Sequence, residues 1–380
     1  MISYGFHDVN EDDIAAVTEV LRGNWLTTGP AVEAFESDLS KLIGGVPVVA
    51  VSSGTAALHA AYVAAGIGPG DEVITPPNTF VATQAAAIQV GARVVFADVR
   101  FDTGNIDPAA VEAAISSRTA AIVAVDYAGH PADLDELRVI ADKNGLLLIE
   151  DAAHSLGSTY KDKPVGSIAD ITTFSFFPTK NIATGEGGAV TAKDPQLLNR
   201  ARLFSRQGLI RNPVDQINPN EGPWHQEVHE FGLNYRLPDI LAVLGTSQLK
   251  RIGEFKRRRQ EIKRMYDDAF ESLASVVQTP HQDKWVDPIW HLYPLKVDPK
   301  KRRYLFDFFR ANGVGVQVNY LPAYWHPAFD SSKYPRGICP VAERFYVSEI
   351  SLPIHTKLSN ENVNQVVEAA YRAFGTGEQG

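Results

Sequence analysis

The sequence carries one cysteine, Cys339, in 380 residues. A lone thiol excludes an internal disulfide framework and any metal or iron–sulfur site built from several cysteines. No apolar run reaches the roughly eighteen residues that a membrane-spanning helix needs. The opening MISYGFHDVNEDD lacks a basic segment followed by an apolar one, so no secretion signal is expected and a cytoplasmic location is. Positive charge is also scarce: Lys and Arg number 36 against 45 Asp and Glu, a formal net charge of −9. General nucleic-acid binding needs a dense cationic surface and is therefore not expected. The one basic cluster, Lys256 to Arg259 with Lys263 and Arg264, lies in a helical stretch and reads as a solvated face or a local patch for an anionic ligand. What is present is ordinary for a globular protein, with 44% apolar and 21% charged residues and neither a fixed-period repeat nor a low-complexity segment. The length exceeds one usual domain, so a large domain over 1–249 and a smaller one over 250–380 are expected.

Asn10 is placed to cap a helix whose Ile14, Val17, Val20 and Leu21 recur at helical spacing up to Gly23. After the turn Thr27-Thr28-Gly29-Pro30 a second helix is expected from Ala31. From Pro47 a strand-then-helix rhythm sets in. The run Val48 to Val51 breaks at Ser52-Ser53-Gly54-Thr55 and passes into the alanine-rich helix AALHAAYVAAG. Strands are predicted at 72–75, 93–97, 120–125 and 146–149, alternating with helices near 79–90, 107–115 and 133–143. Such alternation predicts an α/β fold, a mainly parallel sheet with helices on both faces and ligands at the carboxyl ends of the strands. Asp194-Pro195 opens a further helix to about Arg206, and a loop rich in Asn, Pro and Gly over 208–223 is long enough to be functional or mobile. A helical stretch from Pro238 to about Ser275, broken near Gly253, leads into a smaller α+β unit. Its expected elements are strands at 289–297 and 314–320 and helices at 302–311, 341–350 and 360–374.

The chemistry gathers around ITTFSFFPTKNIATGEGGAV, residues 171–190. A β-branched and aromatic run stops at Pro178 and presents one amine, Lys180. An amine at the edge of a buried strand loses solvation, its pKa falls, and the neutral form can condense with an aldehyde cofactor. Ser53-Gly54-Thr55 sits where a helix begins, which suits a phosphate dianion or plain N-capping. Asp151 follows the apolar LLLIE and needs a cationic partner, either a protonated pyridine nitrogen or an internal base. His154 could touch the same ligand or fill a polar turn. Ser175 could add a phosphate donor, and Phe80 could lie on a flat ring or serve as a core aromatic. An amine, a phosphate cradle and a carboxylate are the three handles of pyridoxal 5′-phosphate. A nicotinamide-dependent oxidoreductase would want Gly-x-Gly-x-x-Gly after the first strand, where residues 52–57 supply only Gly54.

The ordered motifs LTTGPAVEAFE, SSGTAAL, PPNTFVAT, VDYAG, EDAAHSLGS, SFFPTKNIATGEGGAV, GLNYRLPDI and NYLPAYWHPAF resemble the DegT/DnrJ/EryC1/StrS family of sugar aminotransferases over nearly the whole chain. The resemblance implies a fold-type-I pyridoxal-phosphate enzyme with Lys180 as the Schiff-base lysine and Asp151 as the pyridine partner. It places Phe80 on the ring, with His154 close by, and Gly54, Thr55 and Ser175 at the phosphate. It implies a homodimer in which Asn234 reaches the phosphate of the neighbouring subunit. Tyr4, Tyr320, His326 and the loop around Arg211 are the implied substrate contacts. VDYAG, HLYPL and AERFYVSEISLPIH are most similar to the branch making pseudaminic acid precursors, which uses glutamate to aminate C4 of a UDP-linked 4-keto-6-deoxy-N-acetylhexosamine. Asn319 and Phe177 stand where many relatives carry histidine, so a dTDP-linked or 3-keto sugar stays open. Dehydratases of the same fold replace the lysine with histidine or add cysteine-bound clusters, whereas this chain keeps Lys180.

Overall fold

The computed structural model describes residues 1–375. Helix α1, Glu11–Arg22, starts as the sequence predicts: the Asn10 side chain accepts from the Asp13 N–H at 3.0 Å, and Asp13 accepts from the Asn10 N–H at 3.1 Å. Asp13 is buried and also accepts from Gln248 at 2.6 Å and Arg251 at 2.7 Å, which ties α1 to a distant helix pair. Helix α2, Pro30–Leu42, has a glycine at its N-cap and no capping side chain of its own. The carboxylate of Asp239 does that work instead, accepting from the N–H groups of Gly29 at 2.8 Å and Ala31 at 3.0 Å.

Seven strands form the main sheet: β1 (Val48–Val51), β2 (Glu72–Thr75), β3 (Arg93–Phe96), β4 (Thr119–Val125), β5 (Leu147–Asp151), β6 (Ile171–Ser175) and β7 (Gly188–Ala192). Their order is β1-β7-β6-β5-β4-β2-β3. The β3, β2, β4, β5 and β6 neighbours pair in parallel, while β7 runs antiparallel to both β1 and β6. Helices α3 (Gly54–Ala64), α4 (Ala82–Gln89), α5 (Pro108–Ala114), α6 (Leu134–Asn144) and α7 (Pro195–Ser205) link and cover the strands. Helix α3 lies close on the sheet because Ala56, Ala57, Ala60, Ala61 and Ala64 present only methyl groups to it, and all five are buried.

Helices α8 (Asp239–Leu249) and α9 (Ile252–Phe270) carry the chain onward. Their junction is Lys250-Arg251, earlier than the break expected near Gly253, which α9 accommodates in its first turn. A second core follows, in which Ile262, Tyr266 and Phe270 of α9 pack against a three-stranded sheet of β8 (Val277–Gln278), β9 (Tyr293–Val297) and β10 (Glu349–Leu352). Helices α10 (Arg302–Ala311), α11 (Pro340–Ser348) and α12 (Asn360–Gly375) complete this part. Three expectations change here. The strand expected from Ile289 begins only at Tyr293, because Trp290 takes a left-handed φ of 52°. The stretch 314–320 is not a strand but makes isolated bridges, Ile2 to Val314 and Gln317 to Ser351. The helix expected to reach Ile350 stops at Ser348, since Glu349 to Leu352 pair antiparallel with β9. The N-terminal residues join this second core: Ile2 donates to Gly313 at 2.7 Å and accepts from Gly315 at 2.8 Å. Among the described residues no helix is long and apolar enough to cross a membrane.

Candidate active site

The carboxyl ends of β1, β5 and β6 open onto one cavity of about 450 Å³, which also receives residues from the C-terminal part. Tyr4, Gly54, Thr55, Phe80, Asp151, His154, Ser175, Lys180 and Tyr320 all line it. The strand-helix rhythm explains the gathering, since each parallel strand delivers its last residue to the same edge.

Ser53 caps α3, its hydroxyl accepting from the Ala56 N–H at 3.1 Å. The N–H groups of Gly54 and Thr55, in the first turn, have no intrahelical acceptor and face the positive end of the helix dipole. A Cβ on Gly54 would come within 2.8 Å of the Ser175 Cβ, so the absence of a side chain lets the Ser175 hydroxyl close the cradle. Gly188 meets the same turn from behind: a Cβ there would lie 2.4 Å from the Ser53 carbonyl oxygen and 2.8 Å from the Gly54 nitrogen. The turn is an N-cap, and that role leaves the first N–H groups of the helix without an acceptor from the helix.

Lys180 is half-buried, opening to the cavity. Burial pushes its amine down to about 8, against the opposing pull of Asp151. A substantial neutral fraction near pH 7.5 follows, which is what a nucleophilic amine requires. Asp151 is buried, and burial pushes its carboxyl up from the ordinary value. Three interactions oppose that rise: the Thr83 hydroxyl donating to Oδ2 at 2.7 Å, the Ala153 N–H donating to Oδ1 at 3.2 Å, and the charge of Lys180. Thr79 lies 3.0 Å from the Thr83 hydroxyl and continues the chain.

Phe80 is 59% exposed, a large aromatic face turned to the cavity rather than into the core, and its ring lies 6.3 Å from that of Tyr320. His154 Nε2 and the Tyr320 hydroxyl are 3.2 Å apart, and the rings of His154 and His291 are 4.3 Å apart. Burial and the nearby Lys180 charge hold His154 well below the ordinary histidine value; His291 is held down by burial, His154 and Lys180. Both rings are thus neutral at physiological pH. The ensemble fits pyridoxal 5′-phosphate: a depressed amine, a helix-start cradle without a Cβ, a buried carboxylate with no salt-bridge partner within 4.0 Å among the described residues, and an open aromatic face.

Three predicted residues lie outside this cavity. Asn234 is exposed and accepts from Arg236 at 3.0 Å. Arg211 lines a separate cavity of about 310 Å³ with Arg206, Arg236, Thr28 and Gly29. His326 ends a short turn at Ala323–Trp325 and is half-buried away from Lys180. Conversely, Thr83, His291, Leu292 and Glu186 escaped the sequence reading. Thr83 sits inside PPNTFVAT, but nothing local says that its hydroxyl meets an aspartate 68 residues away.

A model of the DegT/DnrJ/EryC1/StrS aminotransferase family matches residues 7–370. The chain is 39% identical over 374 residues to the spore coat polysaccharide biosynthesis protein SpsC of Bacillus subtilis, covering 97% of this chain and 96% of that one. It is 36% identical over 383 residues to the UDP-4-amino-4,6-dideoxy-N-acetyl-β-L-altrosamine transaminase of Campylobacter jejuni, covering 98% and 97%. Among solved structures, Helicobacter pylori PseC, an aminotransferase involved in the biosynthesis of pseudoaminic acid, matches with TM-score 0.91 at 31% identity over 99% of both chains. The putative sugar aminotransferase Spr1654 from Streptococcus pneumoniae, in its PMP form, matches with TM-score 0.90 at 32% identity over 98% of this chain and 99% of that one.

Proposed function

The chain belongs to the DegT/DnrJ/EryC1/StrS aminotransferase family, and from that premise we propose that it moves the amino group of glutamate onto the 4-keto carbon of a UDP-linked 4-keto-6-deoxy-N-acetylhexosamine. It is a pyridoxal-phosphate-dependent transaminase. The observation that carries the proposal is the meeting of Lys180, Asp151 and the Gly54 turn in one cavity. The sugar assignment is supported by the 36% identity to a transaminase whose name specifies a UDP-linked 4-amino-4,6-dideoxy-N-acetyl sugar.

When bound, pyridoxal 5′-phosphate supplies an aldehyde and a conjugated ring that takes up the electron pair released from the donor carbon. The residues of this chain do the rest. The N–H groups of Gly54 and Thr55 and the Ser175 hydroxyl bind the phosphate. Asp151, whose charged form the Thr83 and Ala153 donors favour, would accept from the ring nitrogen, and Phe80 would cover one face of the ring. Lys180 Nζ would hold the aldehyde at rest. The same Nζ, as a free amine, would take the Cα proton of the donor and deliver a proton at the sugar.

The active form is proposed to be a homodimer with shared sites. Asn234 lies on a segment with Phe231 95% exposed and Trp224 79% exposed, and Trp25 and Leu26 are also exposed. A partner subunit covering that face would bring Asn234 to the neighbouring phosphate, and Arg211 with Arg206 and Arg236 toward the substrate diphosphate. The product would feed a cell-surface polysaccharide from the cytoplasm, a role supported by the name of the spore coat relative. Asn319 and Phe177 both line the cavity, and dTDP-linked or 3-keto sugars are the competing substrates. A coupled assay over UDP- and dTDP-linked 4-keto and 3-keto sugars decides the matter. Turnover of the UDP-linked 4-keto sugar is expected, and activity confined to dTDP-linked or 3-keto sugars would defeat the proposal.

A further inference from the structure

Asn319 lines the same cavity as Lys180, and nearly all of its polar atoms are committed to the protein. Its backbone N–H donates to Glu349 Oε2 at 2.7 Å, and its backbone carbonyl accepts from the Tyr127 hydroxyl at 2.6 Å. Its side-chain nitrogen donates to the Tyr4 hydroxyl at 2.7 Å and to Ser351 Oγ at 3.0 Å. The amide oxygen, Oδ1, has no partner among the described residues.

The direction of that amide follows from its neighbours. Ser351 donates its one hydroxyl proton to Glu349 Oε1, so toward Asn319 it can only accept. The atom facing Ser351 must then be the amide nitrogen, which turns the oxygen away from it. Glu349 is fully buried and has no ion-pair partner within 4.0 Å among the described residues, the charge of Arg302 acting on it from farther away. A buried carboxyl without a close counter-ion is costly, and here both of its oxygens serve to orient one residue of the cavity wall. Burial pushes the Glu349 carboxyl up to about 8; below that value a proton on Oε1 would reverse the Ser351 bond and release the amide, so the fixed orientation belongs to the ionised carboxylate.

We propose that Asn319 is a specificity-determining residue of the substrate site, its Oδ1 accepting a hydrogen bond from an N–H or O–H donor on the sugar. Tyr4, Ser351 and Glu349 are positioning residues for it. This rests on the keto-sugar function above. A ring oxygen, a ketone or a deoxy carbon offers no proton there, whereas an acetamido N–H or a hydroxyl does. An acceptor that cannot turn discriminates strongly, because a substrate without the donor leaves it desolvated and unpaired.

The test uses the holoenzyme with UDP-linked 4-keto-6-deoxy sugars bearing either an acetamido or a hydroxyl group at C2, at a pH about one unit above the Glu349 value. Asn319→Ala is expected to raise the sugar KM roughly tenfold, the worth of one hydrogen bond, while the KM for glutamate and the cofactor absorption band stay put. Glu349→Gln, whose amide nitrogen would donate to Ser351 and reverse the chain, is expected to raise the same KM. A rise confined to the acetamido sugar assigns the donor as its amide N–H, a rise confined to the hydroxy sugar assigns it as the C2 O–H, and a rise with both assigns a donor at a position that the two sugars fill alike; each supports the proposal. An unchanged KM for both sugars in Asn319→Ala overturns the proposal, as does a parallel loss of kcat, glutamate KM and thermal stability, which marks a structural role only. Failure of the wild-type enzyme on both sugars is a separate result: it defeats the keto-sugar function, and this inference with it.

Discussion

Replacing Thr83 by Val removes a single hydroxyl from behind the cofactor and keeps the shape of the side chain. Thr83 is 1% exposed, and its hydroxyl donates to Asp151 Oδ2 at 2.7 Å. Burial already raises the Asp151 carboxyl, and the Thr83 bond is the largest influence holding it down. A hydrogen bond to a charged acceptor is worth about 1.5–3 kcal/mol. At 1.36 kcal/mol per pKa unit, its loss raises the carboxyl by about one to two units. Asp151 would then take up its proton nearer neutrality and lose the charge that pairs with the ring nitrogen. The acid limb of log kcat/KM against pH should move up by the same one to two units, with the alkaline limb unmoved. An acid limb in Thr83→Val that coincides with wild type, in a protein of normal cofactor content, would refute the claim that Thr83 keeps Asp151 ionised.

Three further outcomes follow from the packing at Gly188 and the burial of Lys180. Gly188→Ala puts a Cβ 2.4 Å from the Ser53 carbonyl, so β7 and the cradle must separate; overpacking of this kind costs about 1–3 kcal/mol, read as a lowered melting temperature. Cofactor affinity should fall at least tenfold in spectroscopic titration, and full affinity would remove the Gly54 turn from the phosphate site. In the cofactor-free protein, Lys180 should acylate with a midpoint near 8. The sign for stability is that of a lysine depressed by burial: the unfolded chain holds the proton up to about 10.5, so the burial cost is full below about 8 and fades as pH rises to 10.5. Lys180→Met should therefore be more stable than wild type in denaturant titrations at neutral pH, with the gap closing across that window.

The strands of the parallel sheet were legible because each is a short apolar run stopped by a turn, and β2 occupies the predicted 72–75. Asn10, Asp107 and Asp194 cap their helices as their residue types imply. Elements decided by distant pairing were not legible. β7 gives no local sign that it enters antiparallel between β1 and β6, and β10 continues the helical pattern of α11 until its hydrogen bonds to β9 end it. The same distinction applies to the site. Asp151 ends β5, Lys180 lies in the turn after β6 and Gly54 opens α3 just after β1, positions where local chemistry advertises them. Thr83, Asp239 and the Glu349–Ser351–Asn319 chain act across dozens to hundreds of residues, so only the folded chain brings out their partners. Asn234, Arg211 and His326 lie outside the cavity of one chain. The first two stand on surroundings where a second subunit is proposed.

The most direct test of the central claim is where the cofactor is held. Borohydride reduction of the purified protein, followed by peptide mass mapping, should fix one cofactor mass on the peptide containing Lys180. Prior addition of glutamate should abolish that label, and Lys180→Ala should never acquire it. A reduced cofactor on any other lysine, or an equal label in Lys180→Ala, would contradict the account.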